Sequence, residues 1–363
     1  PEALYRQEHG AASADHARDP GDLSTARAPD GLRTRGAELP IVSLDDIKGA
    51  QARLRGVAAR TPLLPFPQSI GGRRLLLKPE SLQPVGSFKL RGAYNKIAGL
   101  TEQERRAGVI SYSSGNHAQG VAYAAKALGV RATVVMPRNA PRIKVERTSA
   151  YGAEIVFVGP GSHERKARAE EIAQERGLTI IPPYNDEAII AGQGTIGLEL
   201  LEDLPQVELV LVPVGGGGLI SGIAAALKLS RPEVKVFGVE PELANDACQS
   251  LEAGRIVELP AERVSQTLAD GLRTQSVGEI TFAHIQQYVD GIVTVSEPEI
   301  VAAMRCLALG AKLVAEPSGA VTTAAFLFHN DRLPAGEHSV AILSGGSVEP
   351  QLLARLLTET AVP

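Results

Sequence analysis

Four consecutive glycines give the strongest chemical signal in the sequence. They follow an apolar run that begins at Leu209 and precede a stretch of helical period that begins at Leu219. The four are Gly215, Gly216, Gly217 and Gly218. Without Cβ atoms the backbone can turn several N–H groups toward one anion, and the following helix adds the positive end of its dipole. No Gly-Lys-Ser/Thr follows, so the loop is not a P-loop. A tight turn would need only one or two glycines, and we therefore predict a phosphate site.

A second loop carries polar side chains at the start of a predicted helix. It follows the apolar run Val109–Tyr112 and consists of Ser113, Ser114, Gly115, Asn116 and His117. Open α/β sheets bind ligands at the carboxyl ends of their strands, and the first N–H groups of a helix lack partners within it. The loop is suited to hold a carboxylate. Simple capping of the helix by serine or asparagine is the alternative.

A lysine between two apolar residues is the third feature. Lys89 follows a Gly-Ser turn and stands between Phe88 and Leu90. Desolvation disfavours the ammonium form and leaves a nucleophilic amine that can form a Schiff base with a carbonyl group. Because an isolated lysine is usually solvated, this hypothesis depends on the two loops described above.

The elements that must position these residues alternate between strand and helix. The predicted strands are Arg74–Lys78, Val109–Tyr112, Ala132–Met136, Glu154–Val158, Thr179–Ile181, Val207–Val214, Val234–Val239, Ile292–Val295 and Ser339–Leu343. The predicted helices include Asp45–Arg60, Asn116–Leu128, His163–Arg176, Ala188–Leu204, Pro298–Leu313 and Ser318–Phe328. Such alternation is typical of βαβ crossovers and parallel sheets. The strands are too many for one tidy sheet, so we predict two α/β lobes with a cleft between them.

Composition excludes several classes of partner. The 363 residues carry 37 Lys and Arg against 41 Asp and Glu, a net charge of −4, so no positive field attracts nucleic acid or anionic lipid. The uncharged stretch Leu209–Leu227 contains Pro213 and the four glycines, which argues against a membrane span. Two cysteines without metal-ligand spacing are typical of a reducing compartment. We expect a cytoplasmic protein with a small-molecule partner, preceded by a disordered tail over residues 1–39.

These motifs, taken in order, resemble those of fold-type II pyridoxal-phosphate (PLP) enzymes. The lysine segment, the Ser-Ser-Gly-Asn-His loop and the four glycines are joined by Leu343-Ser344-Gly345-Gly346-Ser347 near the C-terminus. The resemblance is strongest to the serine/threonine dehydratase and serine racemase group and covers residues 41–358. It implies a fold like that of the tryptophan synthase β-subunit and a homodimer. It also implies a large cofactor domain, 40–107 and 187–363, and a small substrate domain, 108–186.

The resemblance also assigns roles to individual residues. Lys89 would form the Schiff base and later act as the base at Cα, with Phe88 beside it. Asn116 would lie near the ring hydroxyl, and the four glycines would bind the phosphate. Ser344 would hydrogen-bond the pyridine nitrogen. A neutral serine leaves that nitrogen largely unprotonated, and elimination of a β-hydroxyl tolerates the weaker electron sink. The Ser113–His117 loop would bind the substrate, with Ser114 also a candidate catalytic residue.

A divalent cation is a further expectation. Glu240 and Asp246 offer two carboxylates, with the Ala244 carbonyl between them in sequence. Oxygen ligands alone suit Mg²⁺ or Ca²⁺. The related enzymes hold a structural cation with a matching set, and the resemblance implies one here. An exposed acidic loop is the alternative.

Three residues bear on the reaction within the group. Tyr184 matches an aromatic position of threonine dehydratases, whereas Ser114 stands where racemases carry an acid/base serine. Arg165 falls near a substrate-contacting arginine of the racemases, and it could pair with the second carboxylate of 3-hydroxyaspartate or be a solvated helix residue. We predict a dehydratase that converts an L-β-hydroxy amino acid of the threonine/serine class to a 2-oxo acid and ammonia. Serine racemase and 3-hydroxyaspartate dehydratase are the alternatives.

Two other classes and one expectation about length complete the interpretation. A β-replacement synthase would usually carry Asp-Arg after the lysine, where this chain has Leu90-Arg91. A non-enzymatic α/β binding protein would have no use for a buried lysine. Only twenty residues follow Leu343, too few for a C-terminal regulatory domain, so we expect a short catabolic or secondary-metabolic form.

Overall fold

The computed structural model describes residues 39–113, 115–140, 142–159 and 161–358. The tail predicted over residues 1–39 lies outside this part of the chain except for Leu39, and so does Ser114.

Two open sheets form the framework. The strands are β1 (Leu64–Pro65), β2 (Arg74–Pro79), β3 (Val109–Tyr112), β4 (Ala132–Pro137), β5 (Glu154–Val158), β6 (Thr179–Ile180), β7 (Leu209–Pro213), β8 (Lys235–Pro241), β9 (Gly291–Val295) and β10 (His338–Leu343). The larger sheet has the order β1-β2-β10-β7-β8-β9, and the smaller has the order β5-β4-β3-β6. Every neighbouring pair is parallel except β1 with β2. The prediction of an α/β fold with two parallel sheets is confirmed.

Helices cover both faces of the two sheets. They are α1 (Leu44–Leu54), α2 (Lys89–Ala98), α3 (Glu102–Ala107), α4 (Asn116–Ala127), α5 (Arg142–Ala150), α6 (Ser162–Arg176), α7 (Glu187–Asp203), α8 (Gly218–Ser230), α9 (Asp246–Ala253), α10 (Ala261–Val264), α11 (Glu279–Tyr288), α12 (Glu297–Arg305), α13 (Pro317–Phe328) and α14 (Pro350–Thr358). Short 3₁₀ turns lie after β2 (Glu80–Leu82), after β8 (Glu242–Ala244), between α10 and α11 (Asp270–Leu272) and after α13 (Asn330–Arg332).

The larger sheet divides the core into two layers, because successive side chains of a strand face opposite sides. Val210 and Val212 of β7 join a cluster with α1, α7 and α8. Leu209 and Leu211 join a second cluster with α12 and α13. β10 lies in the middle of this sheet, where Val340 is in register with Val210 of β7 and with β2 on its other side. A strand buried on both faces has a nearly continuous apolar sequence, as β10 has.

The smaller sheet repeats this arrangement. Val109, Val134 and Met136 face a cluster that includes α2 and α4. Ile110 and Val135 face the side covered by α6. α2 packs on α4 and also on α7, so the helix that begins at Lys89 contacts the helices of both sheets. The boundaries 40–107, 108–186 and 187–363 stay a prediction.

The first predicted helix is shorter than expected. We predicted Asp45–Arg60, whereas α1 ends at Leu54. Gly56 adopts φ 75°, a left-handed conformation that a helix does not accept. The helical spacing of apolar residues before Gly56 did not indicate that the helix ends there.

The predicted helix Pro298–Leu313 is interrupted. α12 ends at Arg305, a π-helical turn follows over Cys306–Ala311, and Lys312 adopts φ 60°. The amide of Leu313 donates to the carbonyl oxygen of Leu307, which closes this turn. Periodicity alone cannot distinguish such a widened turn from continuous helix.

Among the described residues, no helix combines the length and the apolar composition that crossing a membrane requires. The loop after β3 carries the Ser-Ser-Gly-Asn-His motif, the loop after β7 carries the four glycines, and the loop after β10 carries Ser344. All three motifs therefore follow the carboxyl end of a parallel strand, where ligands bind in such sheets.

Candidate active site

A cavity of about 800 Å³ collects the predicted residues. All of the described residues that we predicted for cofactor or substrate line it, namely Phe88, Lys89, Ser113, Gly115, Asn116, His117, Gly215, Gly216, Gly217, Gly218 and Ser344. Tyr184 and Arg165 line the same space. The structure thus brings together motifs that lie far apart in the chain, from the lysine segment to the C-terminal serine loop. Ser114, the other predicted catalytic residue, lies outside the described residues.

Lys89 begins α2, and its amine faces the cavity. Nζ donates a hydrogen bond to the Pro183 carbonyl oxygen at 2.7 Å and lies 5.1 Å from the centre of the Phe88 ring. The side chain keeps some exposure to the cavity, yet the surrounding protein desolvates it and lowers the pKa of Lys89 to about 8. A substantial fraction of this amine is therefore neutral near physiological pH, as a nucleophile or base requires.

A backbone clamp joins the lysine segment to the serine loop. The amide of Phe88 donates to the Ser344 carbonyl oxygen at 3.1 Å, and the amide of Gly346 donates to the Gly86 carbonyl oxygen at 2.9 Å. Ser87 and Gly345 form an isolated antiparallel bridge between the two. The spacing between Lys89 and Ser344 is thus set by main-chain bonds. No local sequence signal indicated this pairing.

The glycine loop has no room for larger residues. Gly217 adopts φ 89° directly before α8. A Cβ on Gly217 would lie 2.9 Å from Cβ of Thr281, and one on Gly216 would lie 2.2 Å from the Tyr184 ring. The loop stands at the start of a 13-residue helix, whose first N–H groups and dipole favour a phosphate group. Tyr184, predicted to lie near a cofactor ring, packs directly on this loop.

His117 is neutral in the site. Its Nε2 lies 3.0 Å from the Ile181 carbonyl oxygen, which can only accept, so Nε2 carries the proton. Burial, together with the nearby Lys89, lowers the pKa of His117 to about 3. Nδ1 is buried and has no hydrogen-bond partner among the described residues. A neutral histidine avoids adding a second positive charge beside the lysine.

Among the charged residues of the cavity wall that were not predicted, three lie close together. Lys144 Nζ pairs with Asp270 Oδ2 at 2.5 Å and lies 4.0 Å from Glu316 Oε2. Glu316 accepts a 2.5 Å hydrogen bond from Asn116 Nδ2. Burial and the Asp270 charge raise the pKa of Glu316 to about 7, although Lys144 and Asn116 oppose the shift. Glu316 stands directly before Pro317 at a helix start, and that was the sole local signal available for it.

A buried ionic network supports α2 two residues beyond Lys89. Arg91 Nε donates to Glu80 Oε2 at 2.8 Å, and Arg91 Nη1 donates to Glu199 Oε1 at 2.6 Å. Lys78 Nζ completes the group at 2.6 Å from Glu199 Oε2. Lys78, Glu80 and Arg91 have at most 1 % exposure. The network ties the start of α2 to β2 and α7. Removing Arg91 would take away the cation that pairs with Glu80 and leave Glu199 with Lys78 alone.

The predicted cation ligands are buried. Glu240 and Asp246 have no exposed surface, which contradicts the alternative of an exposed acidic loop. Glu240 accepts hydrogen bonds from the amides of Ala247 and Cys248, whereas neither Oδ atom of Asp246 has a well-formed partner among the described residues. Burial raises the pKa of Asp246 to about 8 and that of Glu240 well above its usual range. Within the described ranges, no group of three or more His, Cys, Asp or Glu side chains forms a metal cluster.

The fold and this site define a PLP-dependent enzyme. The family model described as pyridoxal-phosphate dependent enzyme matches residues 54–345, and the chain belongs to this family. Our predictions of the family and of PLP as the cofactor are confirmed, and the relatives described next confirm a lyase of this group.

Three similar proteins define the neighbourhood. L-threonine ammonia-lyase of Thermotoga maritima is 46% identical over 326 residues, which covers 89% of this chain and 80% of that protein. The T.th. threonine deaminase structure is 48% identical with a TM-score of 0.79, covering 85% of this chain and 99% of that one. The maize serine racemase structure is 38% identical with a TM-score of 0.83, covering 87% and 97%.

Proposed function

We propose that this protein is an ammonia-lyase that converts an L-β-hydroxy amino acid of the threonine/serine class to a 2-oxo acid and ammonia. The observation that carries the proposal is the Lys89 amine, which faces the cavity with a pKa of about 8. The 46–48% identity to a threonine ammonia-lyase and a threonine deaminase supports the choice of substrate class.

PLP, when bound, withdraws electrons from Cα of an attached amino acid and so acidifies its proton. Lys89 would hold the cofactor at rest and remove that proton during the reaction. The four glycines would hold the phosphate, and Ser344 would face the ring nitrogen. Ser344 carries no charge, and its Oγ lies 3.3 Å from the Ser318 carbonyl oxygen, so Oγ donates there or to the ring. This arrangement supports elimination of a β-hydroxyl, which tolerates a weak electron sink.

The start of α4 is the proposed site for the substrate carboxylate. Ser113 Oγ accepts from the amide of Gly115 at 3.2 Å, which shapes the loop. A Cβ on Gly115 would lie 3.3 Å from Lys144 Nζ, so a positive charge borders this loop. The helix N–H groups and this ammonium both favour an anion.

We also propose a structural Mg²⁺ or Ca²⁺ at Glu240, Asp246 and the Ala244 carbonyl. Two buried, mutually repelling carboxylates with incomplete hydrogen bonding are unfavourable unless a cation or protons neutralise them. Hard oxygen donors fit these two ions. The cation would fix the turn between β8 and α9 and would not take part in the reaction.

A cytoplasmic homodimer is the proposed assembly. Cys248 and Cys306 are free thiols, as a reducing compartment favours. Leu82, Leu309 and Val314 are 51%, 60% and 47% exposed. Exposed apolar side chains of this size favour a partner surface. Light scattering on the purified protein would test the assembly, and a monomer at micromolar concentration would contradict it.

A racemase is the second candidate, because the maize serine racemase has the same fold and Ser114 can supply a hydroxyl. A panel of L-threonine, L-serine, phenylserine and 3-hydroxyaspartate separates the candidates when both oxo acid and loss of chirality are measured. We expect oxo acid from L-threonine or L-serine as the main product. Loss of chirality faster than oxo acid formation would identify a racemase.

A further inference from the structure

Asn116 and Glu316 connect the two sheets at the base of the cavity. Asn116 is the first residue of α4, beside the smaller sheet, and Glu316 precedes α13, beside the larger sheet. The Asn116 amide Nδ2 donates to Glu316 Oε1 at 2.5 Å, and Glu316 is 2% exposed. No motif of the sequence accounted for this contact.

The contact fixes the orientation of the Asn116 amide. An ionised carboxylate can only accept, so the NH₂ side of the amide must face Glu316. The other side, Oδ1, is buried and has no partner among the described residues. An amide with one side held and the other buried without a partner is prepared for a ligand, because an unsatisfied buried acceptor is costly.

The neighbouring turn is built around this contact. A Cβ on Gly345 would lie 2.5 Å from Glu316 Oε1 and 3.1 Å from Asn116 Nδ2. A side chain at position 345 would therefore displace the bond. Gly345 directly follows Ser344, so the Asn116–Glu316 bond lies beside the residue proposed to face the ring nitrogen of PLP.

We propose that Glu316 is a positioning residue that orients the Asn116 amide toward the ring hydroxyl of PLP. The inference rests on the proposed contact of Asn116 with the cofactor. Glu316 itself does not touch the reacting atoms.

The charges around Glu316 make this positioning sensitive to pH. Lys144 of α5 lies 4.0 Å from Oε2 and Asp270 pairs with that lysine. The positive charge of Arg273 opposes the rise in the pKa of Lys144 that Glu316 and Asp270 cause. The pKa of Glu316 is raised to about 7. Below that pH the protonated group can donate as well as accept, and the Asn116 amide loses its single preferred orientation.

Glu316→Gln tests the proposal, because glutamine keeps the size but both donates and accepts. We expect the Kd of PLP, titrated into cofactor-free protein, to rise about tenfold, in line with the loss of a hydrogen bond to a charged group. The visible absorbance of bound PLP should shift, and its change between pH 6 and 8 should shrink. Glu349→Gln is the matched control, since Glu349 lines the neighbouring cavity and makes no hydrogen bond with Asn116, and it should leave Kd and spectrum unchanged.

A double substitution separates positioning from direct binding. If Glu316 acts through Asn116, adding Glu316→Gln to Asn116→Ala should change Kd less than twofold beyond Asn116→Ala alone. Full additivity, or a wild-type Kd and spectrum in Glu316→Gln, would overturn the proposal.

Glu316→Asp replaces Glu316→Gln if the latter does not fold. If both fail, the wild-type Kd must vary more between pH 6 and 8 than the Kd of Asn116→Ala, which keeps only the variation due to the Lys89 amine. Failure of wild-type protein to bind PLP would instead contradict the proposed function.

Discussion

Lys144 and Asp270 form an ion pair of 2.5 Å between α5, beside the smaller sheet, and the turn that packs under α13, beside the larger sheet. The Lys144 side chain is only 4% exposed. Its ammonium borders Gly115 on one side and Glu316 on the other. One buried cation thus serves the proposed carboxylate site, the cofactor-positioning glutamate and the contact between two sheets.

Lys144→Met should weaken substrate binding more than turnover, because it removes the charge beside the proposed carboxylate site while keeping bulk. We expect KM for L-threonine or L-serine to rise about tenfold, equivalent to about 1.4 kcal/mol. Steady-state kinetics with saturating PLP measure it. Lys126→Met, on the exposed face of α4, is the control. An unchanged KM would contradict the role of Lys144.

Lys89→Ala should fold but lose the visible absorbance of bound cofactor and all turnover, because no other described residue places an amine where Lys89 Nζ lies in this cavity. Absorbance and oxo acid formation are the measurements, with circular dichroism as the check on folding. Visible absorbance that remains in this variant after dialysis, and that borohydride removes while leaving the cofactor covalently attached, would show that another lysine holds the cofactor.

Arg91→Met should destabilise the protein strongly, because Glu80 and Glu199 would remain buried with less compensation. Breaking a buried pair costs about 3–5 kcal/mol, which corresponds to a fall of roughly 10 °C in the unfolding midpoint. Arg106→Met removes an exposed pair with Glu102 and should change the midpoint by about 1–2 °C at most. Equal effects of the two substitutions would show that the network contributes little.

Chelation should lower the unfolding temperature more at pH 8 than at pH 6 if Glu240 and Asp246 hold a cation. The folded pKa of Asp246 without a cation is raised to about 8, above its unfolded value. Below the unfolded pKa the group is protonated in both states. As the pH rises toward 8, the unfolded state releases its proton first, so stability without the cation declines.

Added Mg²⁺ or Ca²⁺ should restore the lost stability by the binding free energy, and Asp246→Asn should abolish the response. Differential scanning calorimetry at the two pH values is the measurement. The proposal would be contradicted if the unfolding temperature does not change although elemental analysis shows that no metal remains after chelation. The two carboxylates would then be neutralised by protons.

Ser114→Ala should separate dehydratase from racemase activity. Racemisation needs proton donors on both faces of Cα, whereas elimination from an L-amino acid needs only Lys89. We expect at least about a tenth of L-substrate elimination to remain, a loss below roughly 1.4 kcal/mol, while any D-substrate activity disappears. Oxo acid formation and Cα deuterium exchange for both enantiomers are the measurements. A loss of about a thousandfold from L-substrates, with cofactor still bound, would make Ser114 central to the main reaction.

The parts of the site that could be predicted from the sequence are those formed by consecutive residues. The glycine loop and the Lys89 segment are local, and each follows directly from residue type and neighbours. The convergence of Lys144, Asp270 and Glu316 has no such signal, because each is an ordinary charged residue until the two sheets bring them together. The clamp between Phe88 and Ser344 was equally hidden, since main-chain bonds carry no side-chain signature. Periodicity also overlooked the π-helical turn before Lys312.

β10 comes late in the chain but occupies the interior of the larger sheet, between β2 and β7. During synthesis, the edges of β2 and β7 that pair with β10 therefore stay unpaired until Leu343 has left the ribosome. The clamp between the lysine segment and the Ser344 loop forms only after that. A nascent chain that stops before His338 therefore lacks both the clamp and the serine proposed to face the ring nitrogen. Pairing over such sequence distances is slow and leaves exposed edges prone to aggregation. The site is thus complete only when β10 has joined the sheet between β2 and β7.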